Sequence, residues 1–353
     1  MGDIALKRGD PKSAFSRTKA ILRGADLAFA NLELPLSERG TPARGKEVVL
    51  RGPPPMVEGL LHAGLDVVSF ANNHALDYGE EAFEDTLRLL AERGIAVAGA
   101  GRNLNEARRP AVLERRGLRV GFLAYSSVLP PGFAAEPKRP GVAPLRALTA
   151  YRPSRDLEAY PGVPALIHTR ARAEDLAQMV TDVRALRRRA DLVVVSCHWG
   201  TSMQHGVREF QQEIGRAAVE AGADLVLGGH PHVLQGIEVY RGKPIVYSFG
   251  NFIFDFPIPF FTEESQKTFL LTAALVRGGA RKVALIPARI NARGTPEPLS
   301  PRRGAGREVA ESLAHLSEPF GTRFLFRGDR LEVDLRSPSG EPISCASGPR
   351  GPY

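Results

Sequence analysis

Cysteine is nearly absent: Cys197 and Cys345 are the only two in 353 residues. One pair cannot build a disulfide framework, and it says nothing of redox compartment. Long apolar runs are missing too, since none approaches the ~18 to 20 residues that a membrane span requires. The opening Met1-Gly2-Asp3 carries neither a basic nor an apolar leader region. As written, the chain reads as soluble and cytoplasmic, with a cell-envelope location expected only if a signal or anchor is missing from its start. Lysine is scarce, 8 against 39 arginines, and with 39 acidic residues the formal charge is +8. That balance favours anionic partners through the long-range field. The one dense basic run, Arg187-Arg188-Arg189, falls at the predicted end of a helix, where cations suit the dipole. No recognised nucleic-acid motif accompanies the charge, so nucleic acid is set aside as a partner. There is no internal repeat.

What is present is the composition of a globular protein, 43% hydrophobic and 24% charged. A chain of this length hides roughly 75% of its unfolded surface, enough for a core without disulfides or a structural metal. Near-continuous apolar runs predict strands at 26–31, 66–71, 95–98, 119–125, 192–197 and 224–227, the text of strands covered on both faces. Between them, three- and four-residue apolar spacings predict helices at 13–23, 56–63, 80–92, 173–189 and 208–220, several stopping at glycine. Glu114–Leu118 and Tyr240–Lys243 read as hairpin turns, so antiparallel pairs are mixed into the β-α rhythm. Beyond residue 265 the pattern changes to strand pairs, 268–276 with 282–290 and 324–326 with 331–335, around a helix near 307–316.

The fold class is therefore α/β, layered mixed sheets flanked by helices with a β-rich C-terminal extension. Residues 1–265 form the main unit, and 266–336 a β-rich part of the same domain. The Pro- and Gly-rich stretch 129–164 reads as a functional loop or lid, and 337–353 as a frayed tail.

Five polar clusters fall just past the ends of predicted strands, where open α/β sheets place their ligands. They are Gly2-Asp3, Asn31-Leu32-Glu33, Asn72-Asn73-His74, Cys197-His198-Trp199-Gly200 and Gly228-Gly229-His230-Pro231-His232. Oxygen and imidazole donors in one set suit Mn, Fe, Zn or similar divalent ions. A turn containing proline can aim His230 and His232 at neighbouring points, and the glycines before it imply close approach of the backbone. His198 leaves a buried strand and is held by a rigid element; its ordinary structural reading is a core histidine bonded to a carbonyl. Asn73 or Asp77 could cap the helix beginning near Gly79. Glu33 follows a buried strand, where an unpaired charge is costly and a metal would neutralise it. Asp3 alone would pass for a solvated terminal residue.

In order and spacing, Gly2-Asp3-Ile4-Ala5-Leu6-Lys7-Arg8, Ala30-Asn31-Leu32-Glu33, Ala71-Asn72-Asn73-His74-Ala75-Leu76-Asp77 with Gly79, His198-Trp199-Gly200, Gly229-His230-Pro231-His232 and Tyr247-Ser248-Phe249-Gly250-Asn251-Phe252 form one series. The series resembles the CapA family of poly-γ-glutamate capsule biosynthesis proteins. That family is similar to the calcineurin-like metallophosphoesterases in fold, an α/β/β/α layering, and in motif order. The resemblance implies one or two divalent ions. Asp3 and His232 would bind the first, Glu33 would bridge, and Asn73, His198 and His230 would bind the second. His74 would contact the scissile phosphate and assist the leaving group. It implies a phosphoesterase-like hydrolase in which a metal-bound hydroxide attacks an anionic ester. The alternative is a non-catalytic factor that binds or assembles poly-γ-glutamate, with capsule-synthesis proteins as partners.

The chain departs from the superfamily's Asp-x-His opening, having Asp3-Ile4-Ala5, so the first ion site is expected to be the weaker. Glu33 stands for the usual aspartate, and the longer side chain is expected to alter the ion spacing or leave one ion tightly bound. The strand delivering Asp3 should be nearly absent, as from a truncated or misassigned start. Arg8 and Asn251 match family positions near the site, as contacts for an anionic substrate. Their ordinary readings are an exposed helix-start cation and a turn. His62, His168, His205 and His315 lie outside any motif, although His205 could line the cleft.

Overall fold

The apolar runs become short parallel strands because both faces of each are covered. In the computed structural model, which describes residues 1–154 and 162–336, β1 (Asp3–Ala5), β2 (Phe29–Leu32), β3 (Val67–Ser69) and β4 (Ala96–Ala98) run parallel. Helices α1 (Lys19–Arg23), α2 (Val57–Ala63) and α3 (Gly79–Glu92) lie on the connections between them. The single helix predicted over 13–23 is instead a 3₁₀ turn, Pro11–Phe15, followed by α1. The intervening Ser16 and Thr18 are poor interior helix residues, because their hydroxyls compete for backbone bonds. Although only three residues long, β1 does form, bonded between two neighbours.

β5 (Ala111–Arg115) and β6 (Leu118–Ser126) form the first predicted hairpin. β7 (Ala147–Arg152) and β8 (Leu166–Ala171) pair with each other as a two-stranded ribbon. Part of the stretch read as a loop or lid is therefore strand, and its residues 155–161 lie outside the described residues. α4 (Ala173–Arg187) leads into β9 (Leu192–His198), and α5 (Glu209–Ala221) into β10 (Leu225–Gly229). β11 (Ile237–Tyr240) and β12 (Lys243–Val246) form the second predicted hairpin. These strands give a sheet of order β11-β12-β10-β9-β6-β5, after which β13 (Asn251–Phe254) returns to the first sheet, completing β13-β1-β2-β3-β4.

The two sheets face each other. Phe29 of β2 stacks on Phe122 of β6 with ring centroids 5.7 Å apart. Strand alternation splits β9 between two cores. Leu192 and Val194 join the apolar cluster shared with the first sheet, α2 and α3, whereas Val193, Val195 and Cys197 join the one beneath α4 and α5. This is the helix, sheet, sheet, helix layering expected.

The C-terminal strands β14 (Lys267–Val276), β15 (Gly279–Ile290), β16 (Pro296–Pro298), β17 (Phe324–Arg327) and β18 (Arg330–Val333) form a further sheet of order β14-β15-β18-β17, with β16 on β15. α6 (Gly304–Ser317) packs with them, and Phe269, Leu285 and Leu331 belong to the same apolar cluster as Ile4 and Val68. The predicted tail 337–353, with Cys345, lies outside the described residues. Among the described residues no helix is long and apolar enough to cross a membrane.

Candidate metal centre

Residues distant in sequence meet where the two facing sheets end. Glu33 follows β2, His198 closes β9, and His230 follows β10. Asp3 does not lie past a strand end: it opens β1, opposite Asn31 and Asn251. The donor atoms of Glu33, His198 and His230 lie within 4.8 Å of one another, and so do those of Asp3, Glu33 and His232. Glu33 is common to both sets. His198 Nε2 is 3.6 Å from Glu33 Oε1, and His232 Nε2 is 3.8 Å from the same oxygen.

The backbone is bent to achieve this. His230 and His232 both hold positive φ, 94° and 60°, a costly conformation for residues with a Cβ. His230 N–H donates to Asp3 Oδ2 at 3.1 Å, and Met203 N–H donates to the Pro231 carbonyl at 2.8 Å, which fixes the turn. A Cβ at position 229 would come within 2.6 Å of Asp3 Oδ1, so glycine is required where the two sheets touch.

Hydrogen bonds assign the imidazole roles. Asn31 Nδ2 can only donate, to Asp3 Oδ1 at 2.9 Å and toward His198 Nδ1 at 3.5 Å. His198 therefore carries its proton on Nε2, which donates to Asn73 Oδ1 at 2.7 Å. His232 Nδ1 donates to Asn251 Oδ1 at 2.9 Å, leaving Nε2 as the lone pair on the Glu33 side. Asn251 lies in a strand rather than a turn, and it touches His232. Asn72, bonded to the Leu32 carbonyl and to Asn31, also accepts from His74 N–H and so ties the β2 and β3 loops together.

Two polar groups in this network are left without partners. Both Glu33 oxygens and His230 Nδ1 are buried and make no hydrogen bond. Ionised Glu33 and Asp3 have no hydrogen to share, so only protonation of Glu33 would join them. Burial first, and the Asp3 charge second, push the Glu33 carboxyl well above its usual range. Burial likewise pushes His198, His230 and His232 down, keeping the rings neutral. A divalent cation supplies the partner that both the Glu33 carboxylate and the His230 imidazole lack, so the residues present fit such an ion.

Beside these donors lies a second cluster, assembled on Asp77. His74 Nδ1 donates to Asp77 Oδ2 at 2.6 Å, and Leu50 N–H donates to the same oxygen at 2.7 Å. Lys46 Nζ bonds Asp77 Oδ1, donates to the Asn73 carbonyl at 2.5 Å and lies 3.0 Å from His74 Nδ1. The helix-cap reading is thus corrected: Tyr78 holds the cap position of α3 without a side-chain bond, and Asp77 turns inward instead. Lys46 had no motif to mark it, apart from being one of 8 lysines. Burial lowers its pKa, and lowers that of His74 despite the opposing pull of Asp77.

Arg8 is neither exposed nor at a helix start. Its guanidinium grips Asp255 through Nε and Nη2, and Nη2 also donates to the Gly294 carbonyl at 3.0 Å. Those donors are spent on an internal partner, so the substrate contact expected of Arg8 is set aside. His205 bonds the Leu234 carbonyl, His168 pairs with Glu209 and His315 lies near Glu318, all outside the cluster. His62, on α2, is outside it as well.

The sequence matches the bacterial capsule synthesis protein family PGA_cap over residues 1–256, which contain the whole cluster. The chain belongs to that family. The PGA biosynthesis protein CapA of Bacillus subtilis (strain 168) is 32% identical over 265 residues, 72% of this chain and 62% of that protein. The capsule biosynthesis protein CapA of Bacillus anthracis is 27% identical over 324 residues, covering 91% of this chain and 71% of that one. The chain thus spans less than two thirds of the B. subtilis relative. A putative 5'-nucleotidase from Staphylococcus aureus, solved with alpha-ketoglutarate, superposes with a TM-score of 0.37 at 14% identity, covering 91% of this chain and 58% of that one.

Proposed function

We propose that this PGA_cap protein is a metal-dependent, phosphoesterase-like hydrolase serving poly-γ-glutamate capsule synthesis, with an anionic phosphoester as its substrate class. The observation that carries the reading is Glu33, whose two buried oxygens have no partner and whose carboxylate belongs to both donor sets. Asp3, Glu33 and His232 would hold one divalent ion, and Glu33, Asn73, His198 and His230 a second. The mixed oxygen and imidazole set suits Mn, Fe or Zn. When bound, such ions supply Lewis acidity toward phosphoryl oxygens and clamp an in-line displacement.

The chain's own residues do the rest. Asp77 holds His74 by Nδ1, which leaves Nε2 as the nitrogen that exchanges a proton with the leaving oxygen. Lys46 places a cation against that imidazole, a local charge that suits an anionic substrate. Asn251 fixes the tautomer of His232, so that this ring presents its Nε2 lone pair without reorganisation, whereas His198 would have to give up its Nε2 proton to bind.

Elemental analysis of protein purified without chelator should find one or two divalent ions per chain. His74→Ala should keep them and lower the turnover of a model phosphodiester by roughly 10²- to 10⁴-fold. Absence of any bound ion would overturn the reading. Poly-γ-glutamate binding without turnover in the unaltered protein would replace it with the polymer-binding alternative.

Ion binding should also release protons. Protonation competes with ligation at Glu33, whose carboxyl is pushed well above its usual range, so affinity for Mn²⁺ or Zn²⁺ should rise with pH. Calorimetry in two buffers of different ionisation enthalpy measures the released protons directly. An affinity that does not rise with pH would exclude Glu33 as a ligand.

A further inference from the structure

The segment that follows β13 is apolar where it has no core to fill. Phe256-Pro257-Ile258-Pro259-Phe260-Phe261 contains no polar side chain, yet both prolines are exposed and Phe260 is 48% exposed. Both ends of the segment are tied to residues that support the ion cluster. At the first end Asp255 accepts from Arg8 Nε at 2.8 Å and from Lys7 N–H at 2.9 Å, and its own N–H donates to the Ala5 carbonyl of β1 at 2.9 Å. At the other end Asn251, which orients His232, donates through Nδ2 to the Ser265 carbonyl at 3.4 Å. Between them, the rings of Pro257 and Pro259 lock two φ angles, and Phe261 N–H donates to the Ile258 carbonyl at 3.1 Å, closing a turn. Arg8 thus serves the site at one remove, as a positioning residue for this loop.

The aromatic rings make a path from an ion donor to solvent. Phe254 meets His232 edge-on with centroids 5.5 Å apart, and Phe261 lies 5.0 Å from the same imidazole. Phe260 stands at 83° to Phe261, with centroids 5.5 Å apart. Cover of His232 accounts for Phe254 and Phe261. It does not account for Phe260, which forms the outer end of the path with about half of its surface in water. An exposed apolar segment continuous with a polar site marks a place where a ligand is held.

We propose that Phe260 and Phe261 form a stacking shelf for the organic group of the substrate, and that this group carries a planar ring. The proposal rests on the reading of the cluster as a phosphoester site, and it names the substrate class of that site. The ring is either on the ester oxygen itself, as in an aryl phosphate, or one short linker away, as in a nucleotide. Two ring contacts separate Phe260 from His232, so a phosphoryl group at the ions and a ring on the shelf belong to one small molecule. Two phenyl rings near a right angle suit a planar ring, which can stack on the face of one and meet the edge of the other. They do not suit a carboxylate, because the face of a phenyl ring is the negative pole of its quadrupole, and a glutamate polymer has no ring to offer. The two prolines hold the shelf in place before binding, which lowers the cost of ordering it.

The test uses the Mn²⁺-loaded protein and three phosphonates, which carry the phosphoryl anion and cannot be hydrolysed. They are methylphosphonate, benzylphosphonate, and adenine joined to phosphonate through an ethylene spacer. Calorimetry should find at least one of the two ring-bearing compounds bound about tenfold tighter than methylphosphonate, the gain that one stacked ring gives. The larger of the two gains tells an aryl ester from a nucleotide. Phe260→Ala, whose ring partner is Phe261 rather than an ion ligand, should bring the ratio to within about twofold, and Phe260→Tyr should restore it. Equal affinity for all three compounds in the unaltered protein, no binding of any of them, or a gain that survives in Phe260→Ala overturns the shelf. Binding is read without turnover, so the two readings fail separately. A ring preference in a protein that hydrolyses nothing keeps the shelf and sinks the hydrolase, and hydrolysis of alkyl phosphates without a ring preference does the reverse.

Discussion

Glu33→Gln is expected to make the metal-free protein more stable and to abolish the stabilisation that Mn²⁺ or Zn²⁺ gives. In the native chain Glu33 is fully buried, its oxygens make no hydrogen bond, and the Asp3 charge faces it. Above the raised pKa, where Glu33 is ionised, an amide removes that repulsion and offers Asp3 a donor, which a carboxylate cannot. Relief of one buried, unsatisfied group is expected to add about 1 to 3 kcal/mol in urea denaturation. The sign depends on pH. Because the folded-state pKa of Glu33 is raised, the native protein binds more protons than the unfolded chain above the ordinary carboxylate range, and the wild-type metal-free protein loses stability as pH rises through the raised pKa. The variant should lack that decline. The buried histidines act oppositely: their folded pKa values are depressed, so stability is lost as pH falls below the ordinary imidazole value. Glu33→Gln should leave that acid limb in place. A residue whose replacement stabilises the empty protein while removing ion binding is retained for function. A variant that is less stable without metal, or that still gains from it, would contradict the assignment of Glu33 as the shared ligand.

The second large effect is expected at Asp77→Asn. Asp77 is fully buried and answers three groups at once: Lys46, His74 Nδ1 and Leu50 N–H. Removing its charge leaves the Lys46 ammonium, only 16% exposed, without a counter-charge. Breaking one side of a buried ion pair costs about 3 to 5 kcal/mol, whereas replacing both partners by neutral groups costs far less. Lys46→Met in the Asp77→Asn background should therefore recover most of the loss, and the urea midpoints of the four proteins give the coupling directly. Turnover should not recover in the double variant, because His74 has lost the carboxylate that fixes its Nδ1 proton and balances charge on its ring. A loss below about 1 kcal/mol in Asp77→Asn would mean that Lys46 is hydrated and the pair is not a structural unit.

Legibility followed the range of the forces involved. Strand positions and both hairpins were readable, because apolar runs and turn residues act locally. The order of the polar motifs was readable as well, and with it the family. Asp77 reads locally as one of two possible helix caps because capping is a local competition, and the partner that draws it inward, Lys46, lies 31 residues away in a loop without periodic pattern. Arg8 was misread for the same reason, since its partner Asp255 is 247 residues distant. Asn31 and Asn72 stood inside quoted motifs, yet their work of fixing an imidazole and joining two loops has no one-dimensional signature.

Sequence alone determined the layered α/β class, the family and which side chains could serve as ligands, because burial on both faces of a strand and donor chemistry are properties of residues and short runs. Tertiary structure decided that Glu33 is shared between two donor sets, that its oxygens have no protein partner, and that Phe261 and Phe260 lead from His232 to solvent. Each of those is a relation between atoms far apart along the chain. It is fixed by how two sheets meet, which no local pattern encodes.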